Sequence, residues 1–124
     1  DGTGVQWGEQ LTAGKRTDVA ATNGTALDAG AASTFGFAAF LHVFAFTGTS
    51  VTVKLQESSD NGGGDAFAAV VGGGFTVVAA APASQRIAAT PASLERYVRV
   101  VTTGTFSSCV FAVVLVRHQS AVNL

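Results

Sequence analysis

The sequence predicts an all-β fold, an antiparallel β-sandwich of immunoglobulin-like or jelly-roll type, with about seven to nine strands. Three observations carry this expectation. Val51, Val53 and Leu55 alternate with Thr52, Lys54 and Gln56, the period expected of a strand with one dry face and one wet face. Similar stretches recur along the chain, with glycine-bearing turns between them. No stretch reads as a helix: Val78 to Ala83 has the propensity, but it is short and holds Pro82.

The elements follow in order. Val5 to Leu11, Lys15 to Ala20 and Thr25 to Asp28 are the weakest strands, divided by Gly14 and by Asn23-Gly24. Gly36 to Phe46 is long. It places Ala39, Leu41, Val43 and Ala45 on one face and Phe40, His42, Phe44 and Phe46 on the other. Both faces are mostly apolar, which suits a central strand or a subunit contact. Thr47 to Ser50 turns the chain into the Val51 strand, and Ser58 to Asp65 is a loop rich in positive-φ formers. Ala66 to Val71 is a short strand ended by Gly72-Gly73-Gly74. Phe75 to Ala79 and Gln85 to Ala89 follow, with Pro82 and Pro91 as breaks. Leu94 to Val101 has Arg96 and Arg99 on opposite faces. Thr102 to Thr105 then turns it into the last strand, Phe106 to His118, so that the two form a hairpin.

With 124 residues the chain makes one β-sandwich domain, in which 1–20 read as an arm or linker and 119–124 as a tail. Only 12% of residues are charged, against about 25% in ordinary domains, and 48% are hydrophobic, which argues against disorder. A net charge of -1 excludes the basic footprint of a nucleic-acid platform. The single cysteine, Cys109, excludes an intrachain disulfide and a cysteine-rich zinc module. No window reaches the roughly 20 apolar residues of a membrane helix. The first residues show neither the basic start nor the apolar stretch of a secretory signal. The start at Asp1-Gly2-Thr3-Gly4 without methionine reads as a processed or excised chain.

Residues that could carry chemistry are few. His42 lies mid-strand among phenylalanines and is expected to be a buried, hydrogen-bonded or interface histidine; His118 is the other one. Serines are common, but no Gly-x-Ser-x-Gly elbow is present. Cys109 lies within a strand and reads as a buried structural thiol. Asp60, Asn61 and Asp65 offer oxygen ligands but lack the spacing of a calcium loop, so an exposed hairpin loop is expected. Gly62-Gly63-Gly64 and Gly72-Gly73-Gly74 are not followed by the Lys-Ser or Lys-Thr of a phosphate cradle. The acidic residues form no obvious catalytic pair, and Glu57 and Asp60 read as solvated. Lys15-Arg16 and Arg96/Arg99 suit solvated faces or ion pairs with a neighbouring subunit. The expectation is a protein with no enzymatic activity and no cofactor. Low charge and apolar strands favour association of copies. Phe40, Phe44 and Phe46, with Tyr97 second, are the candidates for core or interface.

The stretch Ala21-Thr22-Asn23-Gly24-Thr25-Ala26-Leu27-Asp28-Ala29-Gly30-Ala31-Ala32-Ser33-Thr34 resembles a segment of actinobacterial siphophage tail proteins. So do Leu41 to Thr49, Val51 to Asn61, Ala81 to Ala88, Glu95 to Arg99, Thr105 to Ser108 and Phe111 to Val113, in the same order. In that family the segment is similar to a β-sandwich at the C-terminal side of tail tube-like proteins, or to a stand-alone virion protein. The resemblance implies a structural role in the phage particle, with copies of itself and other virion proteins as partners. A head decoration protein is the alternative location. A carbohydrate-binding sandwich for host glycans is the alternative function, and would draw on Trp7, Tyr97 and the Asp60 to Asp65 loop. Neither nucleic acid nor membrane is an expected partner.

Overall fold

The computed structural model describes residues 8–12, 14–30, 32–34, 36–89 and 93–117. Trp7, Pro91, His118 and the 119–124 tail lie outside the described residues. The described residues form eight strands: β1 (Gly8–Gln10), β2 (Arg16–Asp18), β3 (Thr22–Asn23), β4 (Leu27–Asp28), β5 (Phe37–Ser58), β6 (Ala68–Gly74), β7 (Ala83–Ala89) and β8 (Tyr97–Arg117). Among the described residues there is no helix, and the antiparallel all-β expectation holds.

Two long strands form the frame. β5 pairs with β8 from Phe37↔Arg117 to Ser58↔Tyr97. Along the other side of β8 lie β1, β2, β3 and β4, one after another, with Glu9↔Leu115, Thr17↔Val110, Thr22↔Thr102 and Leu27↔Val98. The first residues therefore do not stand off as an arm where they are described; β1 and β2 are part of the sheet. Along the other side of β5 lie β7, with Phe40↔Arg86, and β6, with Glu57↔Ala68.

The turns expected at Thr47 to Ser50 and Thr102 to Thr105 do not exist. The chain runs through both, so β5 has 22 residues and β8 has 21, and the expected C-terminal hairpin is one strand. Threonine favours strand conformation, and the glycines are used for bending instead of reversal. The β5–β8 register shifts between Val43 and Ala45, Thr47 and Gly48, and Gly48 and Ser50. Gly48 (φ +151) and Gly104 (φ +126) stand in this irregular stretch. A Cβ on Gly48 would lie 2.4 Å from the Cα of Phe106, and one on Gly104 would lie 2.4 Å from the Ser50 carbonyl oxygen. Only glycine allows this approach without displacing the partner strand.

The consequence is a sheet bent over on itself. A straight strand of 21 residues would span about 70 Å at ~3.3 Å per residue. Instead Arg117, the last residue of β8, donates hydrogen bonds to the carbonyls of Leu94 and Glu95, just ahead of its start, at 3.0 Å each. The two layers of the sandwich-like fold thus belong to one sheet. They share one core, in which Phe37, Leu41 and Val43 of one half meet Val53, Leu55 and Val100 of the other. In β8 the inward residues change from even positions (Val98, Val100, Thr102) to odd ones (Cys109, Phe111, Val113, Leu115) across the bend. That is the face change a one-residue slip produces.

Three smaller expectations are corrected. Phe75 to Ala79 is not a strand: it runs beside β5 with a single bridge, Phe75 N–H donating to the Val53 carbonyl at 3.0 Å and Val78 bridging Val51. Gly72 to Gly74 do not follow β6 but are its last three residues. Thr22–Asn23, too short to show a period, is a strand because it pairs with Thr102 and Val101 of β8, and Thr102 Oγ1 also accepts the Thr22 amide at 3.1 Å.

Candidate functional site

The alternation along β5 sends Phe40, His42 and Phe44 to the outer side of the layer, opposite the core residues Ala39, Leu41 and Val43. Phe40 is half-buried, His42 is exposed, and Phe44 is 46% exposed. Pairing with β7 places Arg86 beside Phe40 and Ser84 beside His42. The Arg86 guanidinium lies 5.8 Å from the Phe40 ring centre, and Lys15 Nζ lies 4.6 Å from that of Phe44. Both are cation–π contacts. Phe46 is half-buried and tilts against Phe106 with centroids 6.3 Å apart. The buried phenylalanines are others: Phe37, Phe75 and Phe111. Sequence reasoning passed over Phe37 and Phe111, although both stand in phase with buried valines and leucines.

His42 is not buried. Its Nδ1 lies 3.0 Å from Ser84 Oγ on the neighbouring strand. A histidine serves as a general base when an acid orients it and donors face the reacting oxygen. Among the described residues no carboxylate is hydrogen-bonded to this ring, so the pair is a polar cross-strand contact. Ser84 was not a sequence candidate, because only the β5–β7 register brings it there.

Tyr97 begins β8, half-buried, with the Arg96 guanidinium 5.0 Å from its ring centre. Arg96 also pairs with Asp28 at 2.7 Å. Hydrogen bonds from that arginine, then from the Gly30 amide, hold the Asp28 carboxyl down at about 2. Arg16 forms a two-pronged pair with Asp18 at 2.8 Å, and Thr102 Oγ1 donates to the same carboxylate at 2.6 Å. These arginines are thus paired within the chain, where sequence reasoning also allowed a neighbouring subunit. Beside Asp18 lies Cys109, fully buried, whose thiol is pushed up to about 11 by desolvation and then by the Asp18 charge.

Asp60 and Asn61 are exposed and Asp65 is half-buried, in the loop joining β5 to β6. Their carboxylates serve the loop itself. Asp60 accepts the amides of Gly64 and Asp65, and Asp65 accepts the Ser59 amide at 2.8 Å. These bonds lower both carboxyls below the ordinary range. Asn61 takes φ +61, as a turn asparagine can. Glu57, expected to be solvated, is half-buried and accepts the Glu95 amide at 3.0 Å. Glu95 also meets Asp65, and desolvation together with the three neighbouring acids raises its carboxyl. Four carboxylates thus crowd one end of the sheet.

No protein-family model matches the chain, and no curated protein does. Among solved structures it is similar to the SPBc2 prophage-derived protein YomS, at 10% identity and TM-score 0.52, over 91% of this chain and 94% of that one. A subunit of Bacillus endospore appendages aligns over 94% and 93% at 18% identity, with TM-score 0.35. A chain of infectious bursal disease virus, strain Gx, aligns over 93% and 31% at 12% identity, with TM-score 0.36. The YomS likeness establishes a shared fold across nearly the whole of both chains.

Proposed function

We propose that this chain is a non-catalytic structural protein of a phage particle, placed in the tail, where it contacts copies of itself and other virion proteins. The observation that carries this reading is the fold likeness to a prophage-derived protein over 91% of this chain. The outward aromatic face supports it: Phe44 stands 46% exposed in a row with Phe40 and His42. An exposed row of this kind in a charge-poor sheet is a contact surface. The acids a sugar or calcium site would draw on at Asp60 and Asp65 are bonded to backbone amides, which weighs against the glycan-binding alternative.

Immunogold electron microscopy of particles from the source tests the reading. Label in a regular row along the tail is the expected result. Label over the head would replace the tail assignment with a decoration protein, and particles without label would overturn the virion reading.

A further inference from the structure

Two surfaces of this chain carry opposite charge. The first is the outward face around Phe40, His42 and Phe44. Its cations, Lys15 and Arg86, rest on Phe44 and Phe40, and neither is ion-paired among the described residues. The second is the crowded acidic end, where Glu57, Asp60, Asp65 and Glu95 stand together without an ion pair among the described residues. Arg117, which pairs with Phe37, bonds to Leu94 and Glu95, so this acidic end lies where both halves of the sheet finish. Phe44, under Lys15, lies seven residues along β5 from that end, a rise of about 24 Å, and Phe40, beside Arg86, lies three, a rise of about 10 Å. The first separation exceeds the screening length of about 10 Å in 0.1 M salt and the second about equals it, so Lys15 above all is left unneutralised within one copy.

We propose that the outward face of one copy receives the acidic end of a second copy, with Lys15 and Arg86 meeting its carboxylates and Phe44 covered by the contact. The inference rests on the structural reading above and names the surfaces that would serve it. Because the two surfaces differ, the contact is head-to-tail and extends into a ring or a row, not a closed two-fold dimer. Charge complementarity sets the orientation, and burial of the phenylalanines supplies the adhesion.

Sedimentation velocity on the purified chain tests it. The native chain is expected to form species beyond the dimer. The association should weaken at least tenfold between 0.1 M and 1 M salt, as the screening length falls from about 10 to about 3 Å. The variants Lys15→Glu with Arg86→Glu, and Glu57→Lys with Glu95→Lys, should each lose at least tenfold in association. Mixed in equal amounts they should regain association in alternating order, because the charge-reversed face meets the charge-reversed end while the two native surfaces meet each other. A native chain that stays monomeric at about 100 μM overturns the contact. So does association that persists unchanged at 1 M salt, or folded variants whose mixture gives no association. A monomer in solution with label along the tail would sink this contact alone; association with unlabelled particles would sink the virion reading alone.

Discussion

The Arg117 guanidinium, at the end of β8, donates to the carbonyl of Leu94, just before the same strand begins, at a separation of 3.0 Å. This bond, with its companion to Glu95, closes the bent sheet. Arg117 itself is 5% exposed. Arg117→Met should cost about 2–4 kcal/mol, since it strips donors from carbonyls that water reaches poorly. Arg117→Lys should recover only part, because an ammonium cannot span both carbonyls as a planar fork does. Urea denaturation measures both, and an unchanged midpoint for the methionine variant would show that the tie contributes nothing.

Gly48→Ala and Gly104→Ala should each destabilise by more than about 1 kcal/mol, because positive φ and a 2.4 Å contact act together at both sites. Gly74→Ala is the control: a Cβ there has nothing within 4 Å, and its φ is ordinary. Thermal melts of the three should separate the first two from the third. Equal melts would mean that the bend accommodates a side chain.

Cys109 should resist iodoacetamide at pH 7.5 in the folded chain and react fully in urea. Its thiol is buried and held up at about 11, so almost no thiolate is present at that pH. Asp18→Ala removes the carboxylate that Arg16 and Thr102 share and should cost about 3 kcal/mol. It should also speed alkylation, by loosening β2 from β8. Rapid labelling of the native chain would show that β2 opens readily.

The acidic end and the Asp28 pair respond oppositely to pH. The Glu95 carboxyl is raised in the folded chain, so its ionisation opposes folding. The penalty is absent below its unfolded pKa, about 4.3, and grows as pH rises from there through the folded value. Glu95→Gln should therefore raise the melting temperature at pH 7 and leave it nearly unchanged at pH 3. Asp28 is held down at about 2. Its contribution is complete above the unfolded value and is lost as pH falls through about 2. Asp28→Asn should lower the melting temperature at pH 7 and have little effect at pH 1.5. A pH-independent effect of either variant would contradict this assignment.

Much of the architecture is legible locally. Period-two alternation marked Val51 to Leu55 and the faces of Phe40 to Phe44, and it placed Cys109 inside a strand. It misled at Thr47 to Ser50 and Thr102 to Thr105. A glycine among threonines suits a turn and a bulge equally, and only the partner strand decides between them.

Residue order alone sets this protein as all-β, low in charge, and built on strands whose inner faces carry valine and leucine. Backbone preference and side-chain alternation act between near neighbours, so they are written in order along the chain. Tertiary structure alone decided that β5 and β8 run unbroken through a bend, that Ser84 meets His42, and that Thr102 meets Asp18, 84 residues away. It also gathered Glu57, Asp60, Asp65 and Glu95 at one end. These pairings depend on register, and register is set by how the two halves of the sheet close over a common core.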